Sequence, residues 1–344
     1  MIQDSVLNRA ARAICAFCAA SLLSGCARET GDCQAGAEAR ELCRLIQDAR
    51  SVDREAWFPA ARELGRKAAA NPGLRDRIWA EAGVNSLGMK FVRIEPGEFV
   101  MGPPYQALLW PREAHRVRLT RPFYICVTET TNEQYAVLRP DRKAESRFSP
   151  DPESPVVDLS WDDVQAFCRD LSYREGAVYR LPTEAEWEYV CRAGMPSPHL
   201  FCFGDDFSIL PEYAWCGGRR SSAAPVALLK ANAWGVYDMH GNALELVQDW
   251  FSTDFNGAKA DAVAVDPEGP SHSFNHTLRG GEWCSPDVRY CECAARMPWP
   301  LLELRLYRDV PLGRERIGFR IVRDCETATT QNAPQAGKTH EQTR

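Results

Sequence analysis

Three cysteines, Cys284, Cys291 and Cys293, fall within one short stretch of the chain. Thiolates are soft ligands, so two thiols on one loop could converge on a soft metal ion. Cys284 and Cys291 could equally close as a plain disulfide. The chain carries 14 cysteines in 344 residues, which is natural in an oxidising compartment, where a disulfide is the favoured fate. His272 and His276 stand four apart, but the Ser/Asn-rich stretch around them is not the helix that turns such a pair into a metal site. His240 reads as structural. There is no Gly-rich phosphate loop and no Ser-His-Asp set in a recognisable context.

The elements that must position these groups follow from composition and pattern. Hydrophobic residues make up 45% and charged residues 26%, an ordinary globular balance that excludes global disorder. A net charge of −6 argues against a nucleic-acid partner, which would call for a basic patch. No apolar run reaches the ~18 residues of a membrane span. Residues 27–84 are rich in Ala, Arg and Glu, and Leu42, Leu45, Ile46, Ala49 and Val52 fall near helical spacing. Asn71-Pro72-Gly73 should split two helices. We read residues 26–84 as a helical spacer, the sharper alternative being a partner-binding hairpin; Cys33 and Cys43 could staple it.

From Asn85 onward Gly, Pro and aromatic residues rise. Phe91–Ile94 and Glu98–Met101 read as strands around Pro96-Gly97, and Arg116–Leu119 and Phe123–Thr128 as two more. Thr130-x-x-Glu133, Ser160-x-x-Asp163 and Thr183-x-x-Glu186 have the spacing of capping boxes that open helices. The second helix should put Trp161, Val164, Phe167, Cys168 and Leu171 on one face. After Gly194 few long elements can be placed before a short apolar strand at Phe319–Val322. A loop-rich stretch of that length implies disulfides or a bound ion. The tail, residues 326–344, is polar and aperiodic, and is expected to be disordered.

At the N-terminus, Arg9 and Arg12 precede an apolar stretch, Ala13–Leu23, that fits a signal-peptide core. It ends in Leu23-Ser24-Gly25-Cys26, which resembles a bacterial lipobox. That resemblance implies a lipoprotein signal peptide over residues 1–25, acylation of Cys26 and a membrane partner through the lipid anchor. The expected location is the bacterial cell envelope, periplasm-facing or extracellular.

Gly88-Met89-Lys90-Phe91-Val92, Pro96-Gly97-Glu98-Phe99, Glu129-Thr130-Thr131-Asn132 and Ser160-Trp161-Asp162-Asp163 follow one another in the first half of residues 85–325. Arg180-Leu181-Pro182-Thr183-Glu184-Ala185-Glu186-Trp187, Asn232-Ala233-Trp234-Gly235 to Asn242, Arg279-Gly280-Gly281 and Gly318-Phe319-Arg320 continue the series. In this order they resemble the sulfatase-modifying-factor domain, the fold of the formylglycine-generating enzymes. The resemblance implies an α+β, C-type-lectin-like, loop-rich fold.

The resemblance also implies site residues. Asp238, Gly241, Ala243 and Glu245 match a structural Ca²⁺ site, two offering side-chain oxygens and two backbone carbonyls; the bland alternative is a pair of carboxylates capping turns. The family's second calcium site is expected to be lost, with Trp215 at a ligand position. Cys191 and Cys293 match a bridged pair. Cys168 matches another bridged cysteine whose partner position is Ile321, leaving Cys325 as a possible substitute. Cys126, Cys202 and Cys216 have no assigned partner.

Active relatives hold Cu(I) between two cysteines five positions apart and oxidise a sulfatase cysteine. Here Cys284 and Cys291 are the nearest equivalents as copper ligands, but they are seven apart, and Glu282 replaces the family's serine. Relatives with an iron site build it from a helical domain with His ligands, and residues 27–84 contain no histidine. The reading is therefore a non-catalytic binding or scaffold module for an unknown envelope protein or polymer, with Arg296 and Trp299 as surface anchors. The alternative is a copper-dependent oxidase.

Overall fold

The structure, a computed structural model, describes residues 30–104, 114–141, 146–195, 197–218, 220–252, 262–299 and 314–325, with the side chains of 30–35 and 299 outside the description. The leader with Cys26, the side chains of Cys33 and Trp299, and the tail lie outside the described residues.

Three helices come first: α1 (Thr30–Ala49), α2 (Arg54–Ala70) and α3 (Pro72–Ala82). Asn71 divides the last two as its spacing predicts, its side chain accepting the Gly73 N–H with Pro72 opening α3. Val52 lies past the end of α1 and is 89% exposed, so the helical face stops at Ala49.

These helices lie against the body of the domain. Leu45, Ile46, Trp57, Leu64 and Ile78 share a core with Val127, Val226 and Ala227. Arg62 reaches Glu133 at 2.6 Å and Glu153 at 2.9 Å, and Arg54 reaches the Val226 carbonyl at 2.9 Å. The contact depends on glycine: a Cβ on Gly65 would sit 2.2 Å from the Gly88 nitrogen.

The rest is α+β. Two four-stranded sheets carry it, with the orders β1-β4-β13-β5 and β11-β10-β8-β12. The strands are β1 (Phe91–Ile94), β4 (Phe123–Cys126), β5 (Tyr179–Arg180), β8 (Leu244–Trp250), β10 (His276–Arg279), β11 (Arg296–Trp299), β12 (Ile317–Phe319) and β13 (Val322–Asp324). Smaller sheets join β2 (Gly97–Met101), β3 (His115–Leu119) and β9 (Ala264–Val265), and β6 (Ala214–Trp215) with β7 (His240–Gly241).

The expected closing strand Phe319–Val322 divides in two. β12 pairs with β8 and β13 with β4, so the chain passes from one sheet to the other at Arg320-Ile321. Both residues are fully buried.

The helix starts are local and therefore legible. Ser160 and Asp163 form a capping box for α5 (Trp161–Glu175), as do Thr183 and Glu186 for α6 (Glu184–Arg192). Each cap is worth about 1 kcal/mol. The first box shifts by one residue: Thr131, with Gln134, caps α4 (Asn132–Leu138) in place of Thr130 with Glu133. The Thr130 carbonyl instead accepts the Val156 N–H, while Gln134 reaches back to the Thr131 N–H.

α5 buries Val164, Phe167, Cys168 and Leu171 as its spacing predicts. A fully buried Phe contributes roughly 1.5–3 kcal/mol. α6 is different, because every residue from Glu184 to Arg192 is buried, four charged side chains included. Such a helix holds only if its charges find partners inside the protein.

Candidate functional site

α6 finds those partners in β10, β11 and the β2 end. Glu188 accepts the Gly102 N–H at 2.8 Å, Arg192 Nε and Nη2 at 2.9 and 2.7 Å, and Arg279 Nη2 at 2.5 Å. Glu184 accepts Arg296 at both oxygens, each at 2.7 Å, and Arg279 at 3.2 Å. Arg296 is therefore a buried ion-pair partner and not a surface anchor, a correction to the sequence reading. Its burial, on the edge strand β11, was invisible while that strand was unplaced.

Asp249 accepts the Glu184 N–H at 2.7 Å. Burial, with Glu184 beside it, pushes its carboxyl up to about 8. A carboxyl raised in the folded state binds more protons folded than unfolded, so stability falls as pH rises from the unfolded value of 3.8 through about 8. We expect urea midpoints to fall across that window by up to ~1.4 kcal/mol per pH unit. Asp249→Asn, which keeps an acceptor for the Glu184 N–H, should flatten the slope. An unchanged slope in that variant would assign the effect elsewhere.

A second cluster lies where the chain changes sheets. Arg320 donates to both Glu245 oxygens, at 2.7 and 2.6 Å, and Trp187 Nε1 donates to the same carboxylate at 2.7 Å. Glu129 accepts Ala243 N–H at 2.9 Å and Asn242 Nδ2 at 2.8 Å. Asp238 accepts the Ala227 N–H at 2.7 Å. All three carboxylates are buried.

Burial raises Glu129 well above the usual carboxylate range, reinforced by Asp238 and Glu245, and burial brings Asp238 up to about 6. Three carboxylates face the one buried guanidinium of Arg320, with Arg54 acting on Asp238 from outside. The donors are hard oxygens with a formal excess of two negative charges, the chemistry a divalent cation takes, and both oxygens of Glu245 and of Glu129 already accept hydrogen bonds. Gly241, with φ +87° and a Cβ position only 2.2 Å from the Trp215 carbonyl oxygen, must be glycine for this loop to close. Glu129, absent from the sequence-derived ligand set, belongs to this cluster.

The thiols sort differently from their spacing. Cys291 is fully buried and its thiol meets that of Cys216, which with burial raises its pKa well above the usual thiol range. Cys284 is half-buried and its Sγ lies 3.7 Å from Glu282 Oε1. Burial, and Glu282 next, push Cys284 up to about 12. Glu282 is held by Ser285 Oγ at 2.6 Å and by Arg316 at 3.6 Å.

The predicted copper pair Cys284 and Cys291 thus faces two separate sets of neighbours, Glu282 for Cys284 and Cys216 for Cys291. Both are free cysteines in the structure.

Cys191 and Cys293, the pair that the resemblance bridges, come together with their Sγ atoms 3.4 Å apart. Cys202 lies beside them, its backbone N–H on His240 Nε2 at 3.1 Å. Cys325 meets Arg93, whereas Cys168 sits in the main core, so Cys325 does not stand in for Cys168's partner. His276 is stacked between Trp161 and Trp250, ring centroids 3.5 and 3.8 Å away, and burial lowers its pKa to about 4. It forms no pair with His272. The grouping of Cys202 and Cys216 with their partners had no local signal, since the partners come from distant loops.

Comparison with known proteins agrees with this architecture. The chain is 30% identical over 290 residues to the formylglycine-generating enzyme of Streptomyces coelicolor, covering 65% of this chain and 85% of that enzyme. It is 33% identical over 161 residues to the enzyme of the same name from Bos taurus, covering 42% of this chain and 40% of that one. Among solved structures, PvdO from Pseudomonas aeruginosa superposes with a TM-score of 0.55 at 28% identity, covering 68% of this chain and 94% of PvdO. The profile of the sulfatase-modifying factor enzyme 1-like domain matches residues 80–325. With that match over most of its length and the lectin-like α+β body built as described, the chain belongs to the sulfatase-modifying factor enzyme 1-like domain family.

Proposed function

We propose that this protein is a lipid-anchored envelope protein whose formylglycine-generating-enzyme-like domain is a non-catalytic binding or scaffold module carrying a structural Ca²⁺ ion. One observation carries the reading. The two thiols nearest to the family's copper ligands face separate partners, Cys284 toward Glu282 and Cys291 toward Cys216. The lipobox at Cys26 supports the anchor, and the two-charge excess at Asp238, Glu245 and Glu129 supports calcium. A polar cavity of about 740 Å³, lined among others by Arg121, Arg180, Glu186, Gln248, Glu268 and Asp324, offers a surface for a polar partner.

The test is an oxidation assay on the chain from residue 27 onward, reduced and supplied with Cu(I), O₂ and a Cys-x-Pro-x-Arg peptide. Mass spectrometry is expected to find no aldehyde. An aldehyde that disappears in Cys284→Ala would overturn the reading and make the chain a copper-dependent oxidase. In parallel, the full chain made in a bacterial host is expected to partition into detergent, and Cys26→Ser to abolish that partitioning.

A further inference from the structure

The contact between Cys216 and Cys291 sets Cys291 apart from Cys284, and it has a chemistry of its own. Both side chains are buried, Cys291 fully. Their thiols are hydrogen-bonded to each other, inside a small apolar cluster with Leu200, Phe201, Leu210 and Ala214. The two residues stand 75 positions apart, and backbone bonds bring both to β7. Trp215, the neighbour of Cys216, pairs with Gly241 and accepts the Asn242 N–H at 2.9 Å. The Cys291 carbonyl lies 2.7 Å from His240 Nδ1. Gly281 leaves room for the Cys291 sulfur: its φ is +76°, and a Cβ there would sit 2.6 Å from that Sγ.

The other thiols near this loop have neighbours of their own. Cys284 Sγ faces Glu282, and Cys293 Sγ lies 3.4 Å from Cys191 Sγ. Cys291 therefore has Cys216 as its natural partner. A disulfide acts mainly by restricting the unfolded chain, and more so the longer the loop it closes. The loop between Cys216 and Cys291 carries β7 to β10, strands of two to seven residues. It falls in the stretch after Gly194 whose scarcity of long elements calls for disulfides or a bound ion.

We propose that Cys216 and Cys291 form a disulfide, beside the Cys191–Cys293 pair that the resemblance bridges. The inference rests on the envelope location proposed above, which supplies the oxidant, a disulfide-bearing thiol carrier. One cysteine, as thiolate, attacks the carrier's disulfide, forming a mixed disulfide and releasing one carrier thiol. The second cysteine displaces the other carrier sulfur and closes the bridge. The two cysteines lose two electrons and two protons, and the carrier's disulfide becomes two thiols. Both cysteine sulfurs are buried in the folded protein, so exchange takes place before the cluster closes over them. The bridge also gives Cys291 a structural role, because a bridged sulfur is no thiolate and holds no soft metal ion.

The full chain, reduced and unfolded in urea, is refolded in a mixture of reduced and oxidised glutathione. Remaining thiols are blocked with N-ethylmaleimide, and the protein is cut with trypsin and a glutamate-specific protease. Cleavage after Glu292 separates Cys291 from Cys293. Mass spectrometry is expected to find the Cys216 peptide joined to the Cys291 peptide, two hydrogens lighter than the two thiol peptides together. Cys216→Ala should leave Cys291 blocked and lower the urea midpoint below that of the oxidised parent. Cys284→Ala should leave the link in place. Mapping of the parent chain needs no variant to fold. A Cys291 that carries the blocking group, or is joined to Cys284, in the refolded parent would overturn the proposal. The oxidant is in the buffer, so this outcome does not depend on the compartment. Loss of the Cys26-dependent partitioning, or an aldehyde in the oxidation assay, would instead sink the envelope or non-catalytic reading and leave the bridge standing.

Discussion

Glu188→Ala is expected to destabilise the protein by about 3–5 kcal/mol, the cost of leaving buried charges without their partner. Glu188 is fully buried and its carboxylate holds Arg192 and Arg279, themselves buried, together with the Gly102 N–H. Arg192 would keep the Gly102 and His199 carbonyls, and Arg279 the Cys293 carbonyl. Arg279 also keeps Glu184 at 3.2 Å, so the uncompensated charge falls on Arg192. Against a typical total of roughly 5–15 kcal/mol, such a loss leaves little folded protein. Glu188→Gln keeps the shape and removes the charge, so its cost separates charge from packing. The urea midpoint is the measurement. A Glu188→Ala midpoint corresponding to less than ~1 kcal/mol would mean that water enters and replaces the carboxylate.

Calcium is expected to produce the second large effect. Chelator-treated protein should unfold at a lower temperature than protein in excess Ca²⁺, with a difference of ~2.7 kcal/mol at one hundred times the dissociation constant. The cause is the meeting of Asp238, Glu129 and Glu245 around Arg320. Without a cation, burial and repulsion hold Glu129 and Asp238 toward their protonated forms. Asp238→Asn removes one of the two surplus charges and should largely abolish the response. Mg²⁺ should substitute poorly, because it demands shorter, octahedral coordination. If melting in chelator and in calcium coincides at neutral pH, the carboxylates keep their protons and the cluster stands without an ion.

Both predictions concern residues that the sequence motifs already contained, yet their partners were not readable there. Arg279 stands in a recognisable Arg-Gly-Gly block, but that it meets Glu188 follows only once β10 lies against α6. Glu129 stands in Glu-Thr-Thr-Asn, but it joins Asp238 because the Tyr237 N–H pairs with the Val127 carbonyl and Asn242 and Ala243 donate to Glu129 itself. Arg296 was expected at the surface because Arg and Trp together suggest a binding anchor. Its burial follows from the pairing of β11 with β10.

The sequence by itself determined the family, the α+β class and most of the local structure. Capping boxes at Ser160 and Thr183, the turn at Asn71-Pro72-Gly73 and the apolar face of α5 are interactions between residues a few positions apart, so spacing encodes them. Tertiary structure alone decided which ionisable groups and thiols meet. Cys191 and Cys293 are 102 residues apart, and Arg320 and Glu245 are 75 apart. Strands of two to seven residues set those meetings. Strands so short carry little periodic signal, and their pairing is chosen by burial against the rest of the fold, not by their own composition.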